Sequence, residues 1–373
     1  MTQLKQVVSK KELAAFIDFP HQLFEGDNNY VPELHIAQRD LLSPGKHPFH
    51  DHSVLQLFLA YNDGKISGRI AAIFNNNHNN FKNTKDGFFG FFDVVDDKET
   101  AKLLLDAAAK WLKEKGADTM LGPVNPSTNE PCGLLVDGFD SPPVAMMTYN
   151  KPYYEALLSA QGFNKKFDLL AYHLPTETVD KRTLQLKETL LRRLANNGIV
   201  IRPINMKDFK NEVERLLEVY NAAWAENTGF VPMTEKEFRY LAKDLKMILD
   251  KDFCLLAEHN GKMIGFSLAI PDINQVLIKI KRGRLFPTGI FKLLLGLKKI
   301  NYVRVLALGV VEGYRKAGVE ACFYADIIEK AVAKKLKGGE ASWILENNEM
   351  MNNGLKKLNA TVYKRYRIFE KSL

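Results

Sequence analysis

The chain has 373 residues, 46% apolar and 26% charged, with a net charge of +8. That length suits two domains, and the balance excludes a disordered chain, a fibre and a membrane bundle, because no apolar run approaches the ~18–20 residues of a span. The opening Met1-Thr2-Gln3-Leu4-Lys5-Gln6 lacks the apolar stretch of a secretion signal, so a cytoplasmic setting is expected. Cys132, Cys254 and Cys322 form no CxxC pair, and neither a disulfide framework nor a cysteine zinc site is expected.

Charge is uneven. Residues 1–180 hold 17 Lys+Arg against 23 Asp+Glu, a balance of −6, while residues 181–373 hold 35 against 21, a balance of +14. The basic half suits an anionic partner such as a coenzyme phosphate, a lipid headgroup or a nucleic acid.

In chain order, His47-Pro-Phe-His50-Asp51-His52 has metal-ligand residue types, but it lies in a Pro/Gly loop and no metal site is expected there. Leu55–Tyr61 and Ile66–Ile73 read as strands joined at Asn62-Asp63-Gly64-Lys65, a hairpin turn that Asn and Gly favour. The Asn/His run 75–80 reads as a loop. Phe88–Val95 is an apolar strand, followed by a helix over Lys98–Lys115 with Asp96 or Asp97 at its cap. A strand Thr119–Gly122, a helix Tyr153–Ala160 and a strand Phe167–His173 close this half. Thr176–Asn197 is a charged amphipathic helix ending at Gly198, a fitting C-terminal cap.

The order then repeats. Phe253–His259 and Met263–Ile270 flank Asn260-Gly261-Lys262, and Gly265 lies two residues into its strand as Gly68 does in the first hairpin. Val303–Val311 is an apolar strand before a helix over Val319–Leu336. Ala341–Leu345, Met350–Leu358 and Val362–Phe369 follow as strand, helix and strand. The chain therefore reads as a duplication: 1–175 and 199–373 as two domains, with 176–198 a linker helix. The fold class is α+β, three-layer, each domain a central mixed sheet flanked by helices.

The second copy resembles the GNAT superfamily of N-acetyltransferases. An apolar strand runs through Leu308-Gly309-Val310 into Arg315-Lys316-Ala317-Gly318-Val319-Glu320, similar to the superfamily loop (Arg/Gln)-x-x-Gly-x-(Gly/Ala), which opens a helix. The match holds at Arg315 and Gly318 and departs at Glu320. Unpaired N–H groups and the dipole at a helix start attract phosphate, and Arg315 and Lys316 would add charge. The resemblance implies acetyl-CoA or another acyl-CoA bound by residues 308–310 and 315–319 with Asn348. It also implies acyl transfer to a small-molecule or peptide amine. DNA is not an expected partner, and RNA is disfavoured because the basic block is mostly aliphatic.

The superfamily's usual tyrosine acid aligns with Leu355, so Tyr314 or Tyr363 is the substitute by position. Glu346 follows the strand ending at Leu345 and is the candidate base; Glu346-Asn347-Asn348 could equally cap the next helix. Trp224, Glu226, Asn227 and Phe230 lie in a polar, aromatic connection that would line the acceptor pocket, or simply anchor a loop. In the first copy the corresponding loop carries Asp93, Asp96, Asp97 and Glu99 and no glycine, which would repel phosphate and suggests a degenerate copy. A catalytically inactive acyl-CoA-binding or partner-docking tandem stays open beside the enzyme, as does an aminoacyl transferase like the Fem family.

Residues 276–304 hold eight basic residues and no acid among leucines and phenylalanines. They are expected either to form a lid on the second copy's cleft, with lysines reaching coenzyme phosphates, or to make peripheral contact with an anionic membrane. Their place beside the central strand favours the lid.

Overall fold

A computed structural model describes residues 2–179, 181–224, 229–315 and 317–373, and the side chains of these except 181–184 and 186. In chain order the first elements are β1 (Thr2–Gln6), α1 (Lys10–Leu23), α2 (His35–Leu41), β2 (Val54–Asn62), β3 (Lys65–Phe74), α3 (Asn76–Lys82), β4 (Asp86–Val94) and α4 (Lys98–Glu114). There follow β5 (Thr119–Gly122), β6 (Leu134–Asp137), α5 (Tyr154–Ala160), β7 (Asn164–Pro175), α6 (Lys181–Asn196), β8 (Ile199–Pro203), α7 (Phe209–Trp224) and α8 (Glu235–Lys246). The chain continues with β9 (Cys254–His259), β10 (Lys262–Pro271), α9 (Asn274–Leu277), α10 (Gly289–Leu297), β11 (Tyr302–Val310), α11 (Val319–Ala333), β12 (Gly338–Leu345), α12 (Glu349–Lys357) and β13 (Thr361–Ser372).

Two compact units form, and they interleave in sequence where consecutive halves are expected. Unit 1 comprises Met1–Leu169, Ile273–Lys298 and Lys364–Leu373; unit 2 comprises Leu170–Asp272 and Lys299–Tyr363. The chain changes unit within β7 and again within β13. The segment expected as a lid on the second copy therefore packs into unit 1: Leu277 and Ile280 join Val31 in one apolar cluster.

Unit 1 has the strand order β1-β2-β3-β4-β5-β13, with β6 also on β13. Phe369–Ser372 of β13 lie antiparallel to Thr119–Gly122, so the last strand completes this sheet. Asp97 starts α4 by accepting from Thr100 N at 3.0 Å, and Ala101, Leu104, Leu105, Ala108 and Leu112 make the helix face buried on the sheet. α1 lies on the other face, where Phe16 O accepts from Arg69 Nη1 at 2.9 Å.

Unit 2 has the order β8-β9-β10-β11-β12, antiparallel except for the parallel β11–β12 pair. Alternate residues of β9 serve opposite faces, as a strand requires. Leu255 and Ala257 pack with Leu194 of α6 and Phe323 of α11, whereas Cys254 and Leu256 pack with Leu216 and Val219 of α7.

The repeat is visible in hydrogen-bond register. Both hairpins turn on two residues of positive φ, Asp63-Gly64 (48° and 78°) and Asn260-Gly261 (50° and 77°). Both second strands carry one extra residue before the glycine, Ser67 and Ile264. Gly68 pairs with Val94, and Gly265 with Val310. Val95 N then donates to Ser67 O, and Val311 N to Ile264 O, each at 2.9 Å. Asp93 and Gly309 are thus equivalent positions.

Among the described residues no helix is long and apolar enough to cross a membrane.

Candidate active site

The opening in unit 2 begins where two parallel strands part. The β11–β12 ladder runs from Tyr302/Gly338 to Val305/Ala341 and stops, while β11 continues to Val310 and β12 to Leu345. A bulge at Leu306 falls at this point, because Leu268 faces Ala307 and the next residue, Ala269, faces Val305. The bulge thus lies three residues before Gly309. Gly309 instead makes room for an aromatic ring, since a Cβ there would fall 2.4 Å from the Trp224 indole. The indole covers the end of β11 and packs against Tyr220 and Phe266 at centroid distances of 5.0 and 5.6 Å. Phe230 packs tilted against the same Tyr220 at 5.6 Å and is buried. Trp224 and Phe230 are therefore members of one aromatic cluster on the α7 face. Glu226, Asn227 and Lys316 lie outside the described residues.

The loop after β11 turns tightly, with Tyr314 N donating to Val311 O at 3.2 Å and Ala317 N to Tyr314 O at 3.0 Å. Gly318 enters α11 with φ 98° and, having no side chain, supplies no cap of its own; the Glu320 carboxylate accepts from its own first-turn N–H. Arg315 folds back. Its Nη2 donates to Ala223 O at 3.0 Å and its Nε to Val310 O at 3.4 Å, tying the end of β11 to the end of α7. Glu320 is half-buried, and burial raises its carboxyl above the usual range while Arg315 partly opposes this. One turn on, burial and then the Glu320 charge push the Tyr324 phenol well up.

On the facing strand, Glu346 is exposed just past the end of β12. Asn352 Nδ2 holds the backbone there, donating to Leu345 O at 3.1 Å and Glu346 O at 3.2 Å, and Tyr172 Oη donates to Asn352 Oδ1 at 2.8 Å. Asn348 caps α12 by accepting from Met351 N at 3.2 Å. Tyr314 is carried towards β9, where its hydroxyl meets His259 Nδ1 at 2.8 Å, and its ring packs against the α6–α11 cluster. Tyr363 donates to Glu340. Leu355, at the position of the usual acid, is 1% exposed in a core with Tyr172, Ala341 and Ala360.

Three residues beside the parting point carry no signal in the sequence. Arg304, counted with the basic surface block, is fully buried. Its Nε donates to Ser342 Oγ at 2.9 Å and its guanidinium lies 4.5 Å over the Trp343 ring. Trp343 itself has φ 57°, a strained conformation for an aromatic residue inside a strand. Only the pairing of β11 with β12 brings these side chains together.

Unit 1 parts its strands at the corresponding place, after Phe88/Leu121, and fills the gap with its own chain. Val124 N donates to Phe89 O at 2.9 Å and Phe91 N to Asn125 Oδ1 at 2.6 Å. Tyr154 Oη accepts from Val94 N at 3.0 Å, and Tyr153 Oη donates to Val94 O at 2.7 Å. Where unit 2 has Gly309, Asp93 ion-pairs with Arg69 at 2.8 Å.

Among the described residues no group of three His, Cys, Asp or Glu could hold a metal ion. In the histidine loop, His47 Nδ1 accepts from Phe49 N at 3.2 Å and His50 Nε2 lies 2.9 Å from Leu41 O. All three cysteines are buried, and burial pushes the Cys322 thiol up to about 11, which leaves it a poor nucleophile.

No family model matches the chain. It is 36% identical over 379 aligned positions to protein YghO of Escherichia coli, covering 99% of this chain and 95% of that protein. It is 34% identical to the bacterial ceramide synthase of Caulobacter vibrioides, covering 98% and 96%. The chain belongs to the family of these two proteins. Its fold is that of tandem GNAT N-acetyltransferases. A tandem GNAT protein from the clavulanic acid biosynthesis pathway matches 100% of this chain with 98% of its own, at a TM-score of 0.58 and 11% identity. A GCN5-related N-acetyltransferase from Sphaerobacter thermophilus gives 0.55 over 100% and 95%, also at 11% identity. Within this tandem GNAT fold, the parallel strands of unit 2 part after Val305/Ala341.

Proposed function

We propose that the chain is an N-acyltransferase that transfers an acyl group from an acyl-CoA, bound in unit 2, to the amine of a long-chain amino alcohol. The observation that carries this is the parting of β11 from β12 after Val305/Ala341, beside the start of α11, where Gly318 offers no side-chain cap. An unpaired strand edge can hydrogen-bond an extended amide-bearing arm, and the helix start can take its phosphates. The kinship with a ceramide synthase supports an acyl chain longer than acetyl and a sphingoid-type acceptor.

In the proposed step the acceptor nitrogen attacks the thioester carbonyl carbon. A C–N bond forms, the oxyanion collapses, the C–S bond breaks, and the thiolate leaves and is protonated. Glu346, exposed at the mouth of β12, takes the proton that nitrogen sheds. Arg315 holds the coenzyme loop in place through Ala223 O and Val310 O, so it shapes the phosphate site through backbone. Tyr314, bound to His259, positions the same loop.

The test supplies the purified chain with palmitoyl-CoA or acetyl-CoA and sphinganine, and follows free thiol and amide mass. Palmitoyl amide is expected. Release from acetyl-CoA onto peptide amines alone would overturn the long-chain reading. Thermal stabilisation by acyl-CoA, about 2.7 kcal/mol at one hundred times Kd, without any turnover would favour an acyl-CoA-binding module.

A further inference from the structure

The geometry points to Lys281–Lys298 as a docking surface for an anionic phospholipid bilayer, with a groove that takes the headgroup phosphate. The segment is firmly seated. Val276, Leu277 and Ile280 are buried in unit 1. α10 turns two glycines inward, seven residues apart: a Cβ on Gly296 would lie 2.5 Å from Val276, and one on Gly289 would lie 2.4 Å from Arg284 O. Its outer stripe at i, i+3 and i+4 is Phe291, Leu294 and Leu295, exposed by 65, 58 and 72%, with Phe286 beside it at 77%. Four large apolar side chains are thus held out to solvent by a well-packed inner face.

Cations surround them. A groove of about 500 Å³ is lined by Lys281, Arg282, Arg284 and Lys292, with Phe286 and Pro287 also in its wall. Arg284 is paired with Asp18 at 2.7 Å, and Lys292 Nζ donates to Lys279 O at 2.9 Å. Among the described residues Lys281 and Arg282 have no carboxylate in ion-pair reach, and no acid occurs from 276 to 304. Apolar side chains that enter the acyl boundary and cations that meet the phosphates are the two requirements of interfacial binding. An RNA site would instead present successive stacking aromatics along a basic track, and here Leu294 and Leu295 are half of the four exposed apolar side chains. The inference does not rest on the acyl-transfer proposal, because binding is read without turnover.

The test is flotation of the full chain with vesicles of phosphatidylcholine containing a minority of phosphatidylglycerol, against pure phosphatidylcholine, at low and high salt. The chain should float with the anionic vesicles and be released by salt. Neutralising two lysines (Lys281→Gln with Lys292→Gln) should weaken partitioning about thirtyfold, from roughly 1 kcal/mol per basic residue. Phe291→Ser with Leu295→Ser should weaken it about tenfold or more. These four side chains are exposed, and unchanged circular dichroism melting shows that both pairs of variants fold. No flotation of the parent chain, or flotation unaffected by either pair, overturns the proposal. So does single-stranded RNA binding that the lysine pair abolishes and the Phe291/Leu295 pair leaves intact. Concentration-dependent dimerisation without vesicles, lost in the Phe291/Leu295 pair, would assign the face to a second copy and overturn it as well.

Discussion

Gly309→Ala tests whether the end of β11 is set by the indole above it. The new methyl would lie 2.4, 2.6 and 2.9 Å from three atoms of the Trp224 six-membered ring. Carbon atoms are in balance at about 3.5–4.0 Å, so the ring must retreat by roughly 1 Å. Tyr220 and Phe266 both pack against it, and a rigid indole cannot fold away as a lysine would. Overpacking of this kind costs about 1–3 kcal/mol, and the confinement places this site in the upper half of that range. Trp224→Ala removes the obstacle, so in that background Gly309→Ala should cost less than about 0.5 kcal/mol. Urea unfolding followed by circular dichroism on the four chains gives the coupling. Equal costs in both backgrounds would falsify the packing argument. Because β11 is one wall of the opening, the single variant should also raise the acyl-CoA Kd.

Glu346→Gln should lower acyl transfer by roughly 10²–10⁴-fold at unchanged acyl-CoA affinity, since a base acts on the acceptor's proton; equal loss of both would make the residue structural. Asp93→Ala leaves the buried Arg69 guanidinium without its carboxylate and should destabilise the chain by about 3–5 kcal/mol. Acyl-CoA affinity of the folded chain should stay the same, and a loss would mean that unit 1 contributes to binding. His21 is pushed down to about 4 by burial, with Arg69 adding to the effect. It is neutral when folded and binds a proton more readily unfolded, so its contribution is complete above about pH 6.5 and is lost as pH falls towards 4. His21→Gln should flatten urea stability across that window, and an unchanged slope there would show that the histidine does not set it.

Much of the repeat is legible in the residues. Asp63-Gly64 and Asn260-Gly261 announce their hairpins because a two-residue turn requires positive φ, and Asp97 and Gly318 mark helix starts through local chemistry. What depends on distant partners is not legible. Nothing in Thr361–Ser372 says that its later residues close unit 1, because alternating strands fit any exposed sheet edge. Arg304 looks like one more surface cation until Ser342 and Trp343 enclose it. Asn348 reads equally as ligand or cap, and the geometry gives it Met351 N. The 273–298 segment lacks a single clean period, so its attachment to Val31 had no sequence signal.

Unit 1 also has a history written into its order of synthesis. Its sheet is incomplete until residues 364–373 emerge, about 195 residues after Leu169. At roughly 5–20 residues per second that is an interval of ~10–40 s, during which the edge of β5 awaits its neighbour while all of unit 2 is being made. An interruption of translation just before Lys364 would therefore damage the half made first. Loss of the final ten residues should expose the Thr119–Gly122 edge to chaperones and to aggregation, although the open cleft of unit 2 lies entirely upstream of them.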